Sequence, residues 1–367
     1  MRFILVSLVV ATSAFVTGCG STVEATNTNV AAADGGTANG AVDSGAPAPT
    51  GRKGDAQKVL DGFTCPTGAG ALVDGMNTNF TAGGQKRAFR LALPKNAGTK
   101  PVAVVFAWHG VGDSVDNFRG YFGPDPDGRS DFPIAVVTPS CVGCRETGND
   151  PGLLPTSTPM GITWDIFESK PGDGNLEAAL FEGVLGCLKA QITIDAAHVH
   201  AIGFSGGAIA TGMLHARYPA LIHSVVQLSG AWFDNAETVD AVKANLNAAA
   251  PAAANFGVDL TAIKLEWNPL SAANRGAVLA SHGGARDQYA VAGFKVIDFE
   301  LSAGFARPFL KAQSRNVVDC PHTSGHTPPR YIQEKNILDF IQDNPLPETA
   351  TAVKMPASLG SNCTVAQ

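Results

Sequence analysis

One pentapeptide constrains this chain more than any other feature: Gly203-Phe204-Ser205-Gly206-Gly207. It lies between an apolar, strand-like run, Val199-His200-Ala201-Ile202, and a helix-like run from Ala208 to Tyr218. A serine with glycine two residues before it and two residues after it, at a strand-to-helix junction, marks a sharp turn that lifts a nucleophilic hydroxyl clear of a sheet. The turn holds the serine in a strained conformation, and side chains two residues away on either side would collide across it. In a chain with 41 glycines among 367 residues the five letters alone arise easily by chance. The flanking strand and helix give them their weight.

From Arg87 onward the chain alternates between apolar runs and helix-like segments. Arg87 to Leu93 is extended, and Val102 to Trp108 is continuously apolar, as in a strand buried on both faces. Ile134 to Thr138, Val199 to Phe204, Ile222 to Leu228, Ala277 to Ser281 and Asn316 to Cys320 come after it. Between them, Leu176 to Ile192 places Leu176, Ala179, Leu180, Val184, Cys187 and Leu188 on one stripe. Ala208 to Tyr218 follows the elbow, and Tyr331 to Gln342 is the closing helix. This alternation predicts an α/β fold with a mostly parallel central sheet and helices on both faces. In such sheets chemistry sits at the carboxyl ends of the strands.

The residues just after each strand therefore matter most. After Val102 to Trp108 comes His109-Gly110-Val111-Gly112. An acyl-transfer site needs two N–H donors aimed at the oxygen that becomes negative. This small-residue turn offers the amide of Val111 or Gly112, and Gly206, just after the serine, offers the second. His109, followed by glycine in a turn, reads as a brace for the loop rather than a catalyst. After Ala277 to Ser281 comes His282-Gly283-Gly284-Ala285-Arg286-Asp287. Asp287 stands in the chain order serine, acid, histidine, and would hold the histidine tautomer and stabilise the imidazolium. Asp298 and Asp319 are the alternatives, and Arg286 is a rival ion-pair partner for Asp287. The base must follow the last strand, where His322 and His326 compete. Gly325 and Pro328-Pro329 shape the loop in favour of His326, leaving His322 to brace it. His198-x-His200 could set two imidazoles on one strand face, but no third ligand is nearby in sequence, so no metal is expected, and no cofactor.

The N-terminus follows other rules. Met1-Arg2 precedes an apolar stretch, Phe3 to Val16, too short for a membrane span and suited to a signal segment. It ends in Val16-Thr17-Gly18-Cys19, similar to a lipobox, so residues 1–18 are expected to be removed and Cys19 to carry lipid. Residues 19–56 are rich in Ala, Gly, Thr, Asn and Pro and read as a flexible tether to a domain over 57–367. The expectation is an exported protein held by its lipid on a bacterial membrane, the outer one in a Gram-negative source, or released outside the cell. A formal charge of −6 argues against a nucleic-acid partner. Six of the seven cysteines remain after Cys19, namely Cys65, Cys141, Cys144, Cys187, Cys320 and Cys363. An even number in an exported chain predicts disulfides without fixing their pairing. Cys141-x-x-Cys144 sits in a Pro/Gly-rich loop without the helix start a redox pair needs, which makes a structural role the better reading.

These motifs together resemble the α/β-hydrolase esterases grouped around polyhydroxybutyrate depolymerases and feruloyl esterases. The matching pieces run from about Arg87 to Asp343: Val105 to Gly110 with Asn117-Phe118, Ile194 to Val199 leading into Gly203 to Gly207, Tyr218-Pro219, His282-Gly283 with Asp287, and Cys320 with Gly325-His326 and Pro328. The resemblance implies the α/β-hydrolase fold, a Ser205–His326–Asp287 triad, and a lid-like insertion after the sixth strand at about 231–274. Trp232, directly after a strand end, and Trp164, before the long helix, are candidates for a substrate pocket, with aromatic packing the alternative. The chain departs from the family's pattern at Gly206, where a small polar residue or alanine is frequent. It also has Arg286 before the acid, no Val-Pro after it, and no tryptophan after His326. The activity implied is hydrolysis of carboxylic esters, of polyhydroxybutyrate or feruloyl type, through an acyl-enzyme. A peptidase or thioesterase of the same fold is the alternative, and a non-catalytic, ligand-binding surface lipoprotein is the alternative of another class.

Overall fold

The computed structural model describes residues 53–141, 164–169, 174–255, 259–267, 276–291, 293–313, 316–345 and 353–366. All of them fall in one compact unit, 47–367. The signal segment, Cys19, nearly all of the expected tether, and Cys144 lie outside the described residues.

The elements follow the hydrophobic pattern in chain order. The chain enters through α1 (Lys53–Gly62), a hairpin of β1 (Gly75–Ala82) and β2 (Gln85–Ala92), then β3 (Val102–Trp108), α2 (Val115–Phe122) and β4 (Ile134–Pro139). A short β5 (Glu168–Ser169) precedes α3 (Leu176–Leu188), β6 (Ile194–Phe204), α4 (Gly206–Arg217) and β7 (Ser224–Leu228). Then come α5 (Ala236–Ala254), β8 (Glu266–Trp267), β9 (Ala277–His282), and the hairpin of β10 (Gln288–Val291) and β11 (Phe294–Asp298). The remainder is α6 (Phe299–Ala312), β12 (Val317–Pro321), α7 (Glu334–Asp343) and β13 (Thr364–Val365). Lys53–Ala56, expected to end the tether, instead form the first turn of α1, because Ala56 and Leu60 are buried against the body.

Nine strands make one sheet in the order β1-β2-β4-β3-β6-β7-β9-β12-β13. The neighbours from β4 to β12 are parallel, while the β1–β2, β2–β4 and β12–β13 pairings are antiparallel. Alternation along each strand sends neighbouring side chains to opposite faces. On one face Val102, Val104, Phe106 and Trp108 of β3 join a core with Leu60 of α1, Phe181 of α3, Met213 of α4 and Phe299 of α6. On the other, Ala103, Val105 and Ala107 join Phe118 of α2 with Ile337 and Phe340 of α7. A strand covered on both faces must be apolar throughout, which is why β3 reads as an uninterrupted apolar run.

The insertion expected as lid-like follows the sixth strand of this sheet, β7. Its Val242, Leu246, Ala249, Leu265 and Trp267 are buried in the first core. The indole N–H of Trp267 donates to the Ile166 carbonyl at 2.7 Å, and β8 pairs with β5. Two disulfides join distant segments: Cys65–Cys187 ties the stretch after α1 to α3, and Cys320–Cys363 ties β12 to the segment before β13. Cys141 is disulfide-bonded as well. Disulfides were the expectation, and these pairings supply the connectivity that the cysteine spacing left open.

Candidate active site

Ser205 stands between β6 and α4 with φ 55° and ψ −123°, a region that side chains rarely occupy. The glycines around it are there for space. A Cβ at Gly203 would fall 2.3 Å from the Gly207 carbonyl oxygen, and one at Gly207 would fall 2.2 Å from that of Trp108. Neither position can carry a side chain without opening the turn. The Ser205 amide donates to the Leu228 carbonyl at 2.9 Å, fixing the turn to the end of β7. The side chain is nearly buried, yet its hydroxyl has a partner outside its own element.

That partner is His326. The Ser205 Oγ lies 2.9 Å from His326 Nε2, and His326 Nδ1 lies 2.6 Å from Asp287 Oδ1. With the imidazole neutral, Nδ1–H donates to the carboxylate and Nε2 accepts the serine hydroxyl, the tautomer a general base requires. Asp287 is completely buried. Its second oxygen, Oδ2, accepts from the Gly283 amide at 2.7 Å and the Ser229 hydroxyl at 2.8 Å. Three donors thus hold a carboxylate that water does not reach. The imidazole is sandwiched by Phe299, at 4.8 Å and 9°, and Phe204, at 5.0 Å and 29°.

The loops that present these groups interlock. A Cβ at Gly283 would lie 1.9 Å from the Gly325 carbonyl oxygen, and the Gly325 amide donates to the Gly283 carbonyl at 3.0 Å. Gly325 itself has φ 75°. The acid loop and the base loop therefore meet glycine to glycine, which sets the reach of Asp287 to His326.

Each competing residue has another task. His322 turns inward, its Nδ1 accepting the Ser324 amide at 3.2 Å. Burial lowers its pKa, with the Asp287 charge opposing and His282 adding to the effect. Asp298 caps α6, accepting the Leu301 amide at 3.0 Å, and Asp319 pairs with Arg307. Arg286 donates to the Thr323 carbonyl at 3.1 Å instead of pairing with Asp287. His109 is buried, with its ring against the Gly110 carbonyl at 2.8 Å, in keeping with a loop brace.

Val111 and Gly206, the expected oxyanion donors, are neighbours: a Cβ at Gly206 would meet Val111 Cγ2 at 2.8 Å and Trp164 Cδ1 at 3.2 Å. This crowding also explains why glycine follows the serine here. Trp164 and Trp232, expected to touch substrate, are both buried. The Trp164 indole N–H donates to the His109 carbonyl at 3.0 Å, and its ring packs edge-on to Trp108 at 5.2 Å. Trp164 is therefore a brace beneath the Val111 turn. The Trp232 indole N–H is buried without a partner.

Ser229 escaped the sequence reading. It is the other non-glycine residue with positive φ among the described residues, at 56°, and it is buried at the end of β7. Only its place after a strand, in Leu228-Ser229-Gly230, could have drawn attention to it.

No family model and no curated relative matches the chain. The solved structures do align with it. Native sOPH matches at a TM-score of 0.60 with 18% identity, covering 83% of this chain and 97% of its own. Native pOPH matches at 0.59 with 20% identity, over 83% and 97%. The chain has the α/β-hydrolase fold. Its sheet order, the turn at Ser205 and the chain order of Ser205, Asp287 and His326 are those of an α/β-hydrolase.

Proposed function

We propose that this α/β-hydrolase is a serine hydrolase of carboxylic esters. One observation carries the reading: an unbroken hydrogen-bonded path from Ser205 through His326 to a buried Asp287, beginning at a strained turn. Strain of this kind persists only where the surroundings enforce it, and it concentrates at functional positions. As an ester carbonyl meets Ser205 Oγ, His326 Nε2 takes the hydroxyl proton and Asp287 steadies the imidazolium. The developing oxyanion is held by the amides of Gly206 and Val111. Collapse expels the alcohol, which takes the proton from His326. Water, activated by the same histidine, then releases the acid.

The chain should react with a fluorophosphonate probe at Ser205, and the Ser205→Ala variant should not. A panel of p-nitrophenyl acyl esters, methyl ferulate, hydroxybutyrate oligomers, thioesters and peptides ranks the substrate classes. Labelling without turnover of any ester would overturn the reading. We propose further that lipid on Cys19 holds the domain on a membrane surface. Supporting this are the apolar stretch Phe3 to Val16 and the Val16-Thr17-Gly18-Cys19 sequence. Cys19→Ala should then move the protein out of the membrane fraction or block its maturation.

A further inference from the structure

A cavity of about 700 Å³ lies beside the triad, within the range of small-molecule sites. Its walls come from four places: Gly120, Tyr121 and Phe122 of α2, Phe204 of the elbow, Pro328-Pro329 after His326, and Ile332 to Glu334 at the start of α7. The carboxylates at its edge are engaged elsewhere. Asp113 accepts the Ser114 amide at 2.8 Å, and Glu334 accepts the Asp125 amide at 2.6 Å. Arg330 and Gln333 also line it, so rings, prolines and an exposed guanidinium form the recognition surface. Tyr121 is 73% exposed, a large ring left in water beside this cavity.

Which half of an ester would enter is decided by the geometry at His326. The acyl half stays bonded to Ser205 Oγ, with its oxygen at the Gly206 and Val111 amides. The alcohol half must leave past His326 Nε2, which protonates it. Two rings flank that imidazole. Phe299 is buried and closes one side. Phe204 is only partly buried; it stacks on His326 with one part of its surface and walls the cavity with another. It also touches the turn before Val111, since a Cβ at Gly110 would lie 3.0 Å from Phe204 Cδ1. One ring, Phe204, thus separates the cavity from the His326 imidazole, on the side where the alcohol departs.

We propose that this cavity is the leaving-group subsite, and that it takes an apolar, ring-sized or extended hydrocarbon alcohol. The proposal rests on the esterase reading above, so its test has an arm that needs no turnover. Gly120 lines the cavity, and a Cβ there meets nothing within 4 Å, so Gly120→Trp carries an indole into it from an open helical position. With the acyl group fixed as acetyl, the ratio of kcat/KM for 2-naphthyl acetate to that for methyl acetate should fall about tenfold or more in Gly120→Trp relative to the parent protein. Tyr121→Ala should lower the same ratio by less. An unchanged ratio, or a change in preference for acyl-chain length instead, overturns the assignment. In the second arm, 2-naphthol binding to Ser205→Ala is measured by calorimetry, and adding Gly120→Trp should weaken it about tenfold or more. Binding that Gly120→Trp leaves intact, or no binding by Ser205→Ala, also overturns the subsite. Naphthol binding that Gly120→Trp weakens, in a protein that hydrolyses no ester, would uphold an apolar-alcohol cavity while removing the esterase reading.

Discussion

The two ends of the parallel sheet carry similar residue types and do opposite things. At the carboxyl ends, β6 leads into Ser205, β7 into Ser229, β9 into the loop of Asp287 and β12 into the loop of His326. Toward the amino end of β7, His200 within β6 and His223 in the turn into β7 are both buried, with Ser224 beside them. His200 Nδ1 lies 2.8 Å from Ser224 Oγ, so a histidine–serine contact exists at each end. Only one has a carboxylate behind the imidazole, a serine at a strained turn, and an opening toward solvent. A histidine and a serine in contact do not make a site. The buried Asp287 and the elbow do.

The comparison breaks most sharply if the carboxyl-end groups are removed. Ser205→Ala and His326→Ala should each lower turnover by about 10³-fold or more, and the double variant should be little worse than either alone, because they act as one unit. Asp287→Asn should cost somewhat less. Steady-state rates on one activated ester, with circular dichroism to verify folding, check this. Additive losses in the double variant would mean the two residues serve different steps.

Ser229 gives a smaller and more discriminating effect. A hydrogen bond to a charged group is worth about 1.5–3 kcal/mol, and Asp287 keeps two of its three donors when Ser229 becomes alanine. Ser229→Ala should reduce kcat/KM about tenfold, since the carboxylate is held less firmly rather than lost. The second readout is a double-mutant cycle: in an Asp287→Asn background the same change should have little further effect. A full additional loss there would show that Ser229 acts on something other than the acid. His322→Ala, at a residue whose ring accepts from Ser324 in its own loop, should alter turnover less than about tenfold.

Much of this was open to sequence reading because glycine announces steric need. Gly203 and Gly207 flank Ser205 since nothing larger fits, and Gly325 sits beside His326 since its φ is positive. The central strands announced themselves by continuous apolarity. Ser229 shows the same backbone strain as Ser205, yet it has no flanking glycine two residues before it, so the local letters are silent. Trp164 was ambiguous for a related reason: an aromatic before a helix reads alike whether it lines a pocket or braces the turn above it. Only the His109 carbonyl, 55 residues away in sequence, decides for Trp164. The hairpin of β10 and β11 was missed because its pattern is short and its Phe294 faces outward.

The amino-end histidines should affect turnover least and instead set the acid limit of the fold. Burial holds both His200 and His223 well below the usual imidazole value of 6.5, and the His198 charge pushes the same way on each. For His200, His223 adds to the lowering, whereas for His223 a backbone contact at Ala197 opposes it. Groups whose folded pKa is depressed below the unfolded value favour the unfolded state once they must take a proton. The stability tied to their neutral forms is fully present above about pH 6.5 and is lost as the pH falls toward the folded values. Thermal unfolding followed from pH 8 to pH 5 should therefore show Tm falling below about 6.5. His200→Asn with His223→Asn should flatten that slope. In each, an amide oxygen can stand in for Nδ1, accepting from Ser224 Oγ or from the Val199 amide. Turnover at pH 8 should be close to that of the parent protein. An equally steep acid slope in the double variant would move the acid limit to other groups and end the contrast between the two sets of histidines.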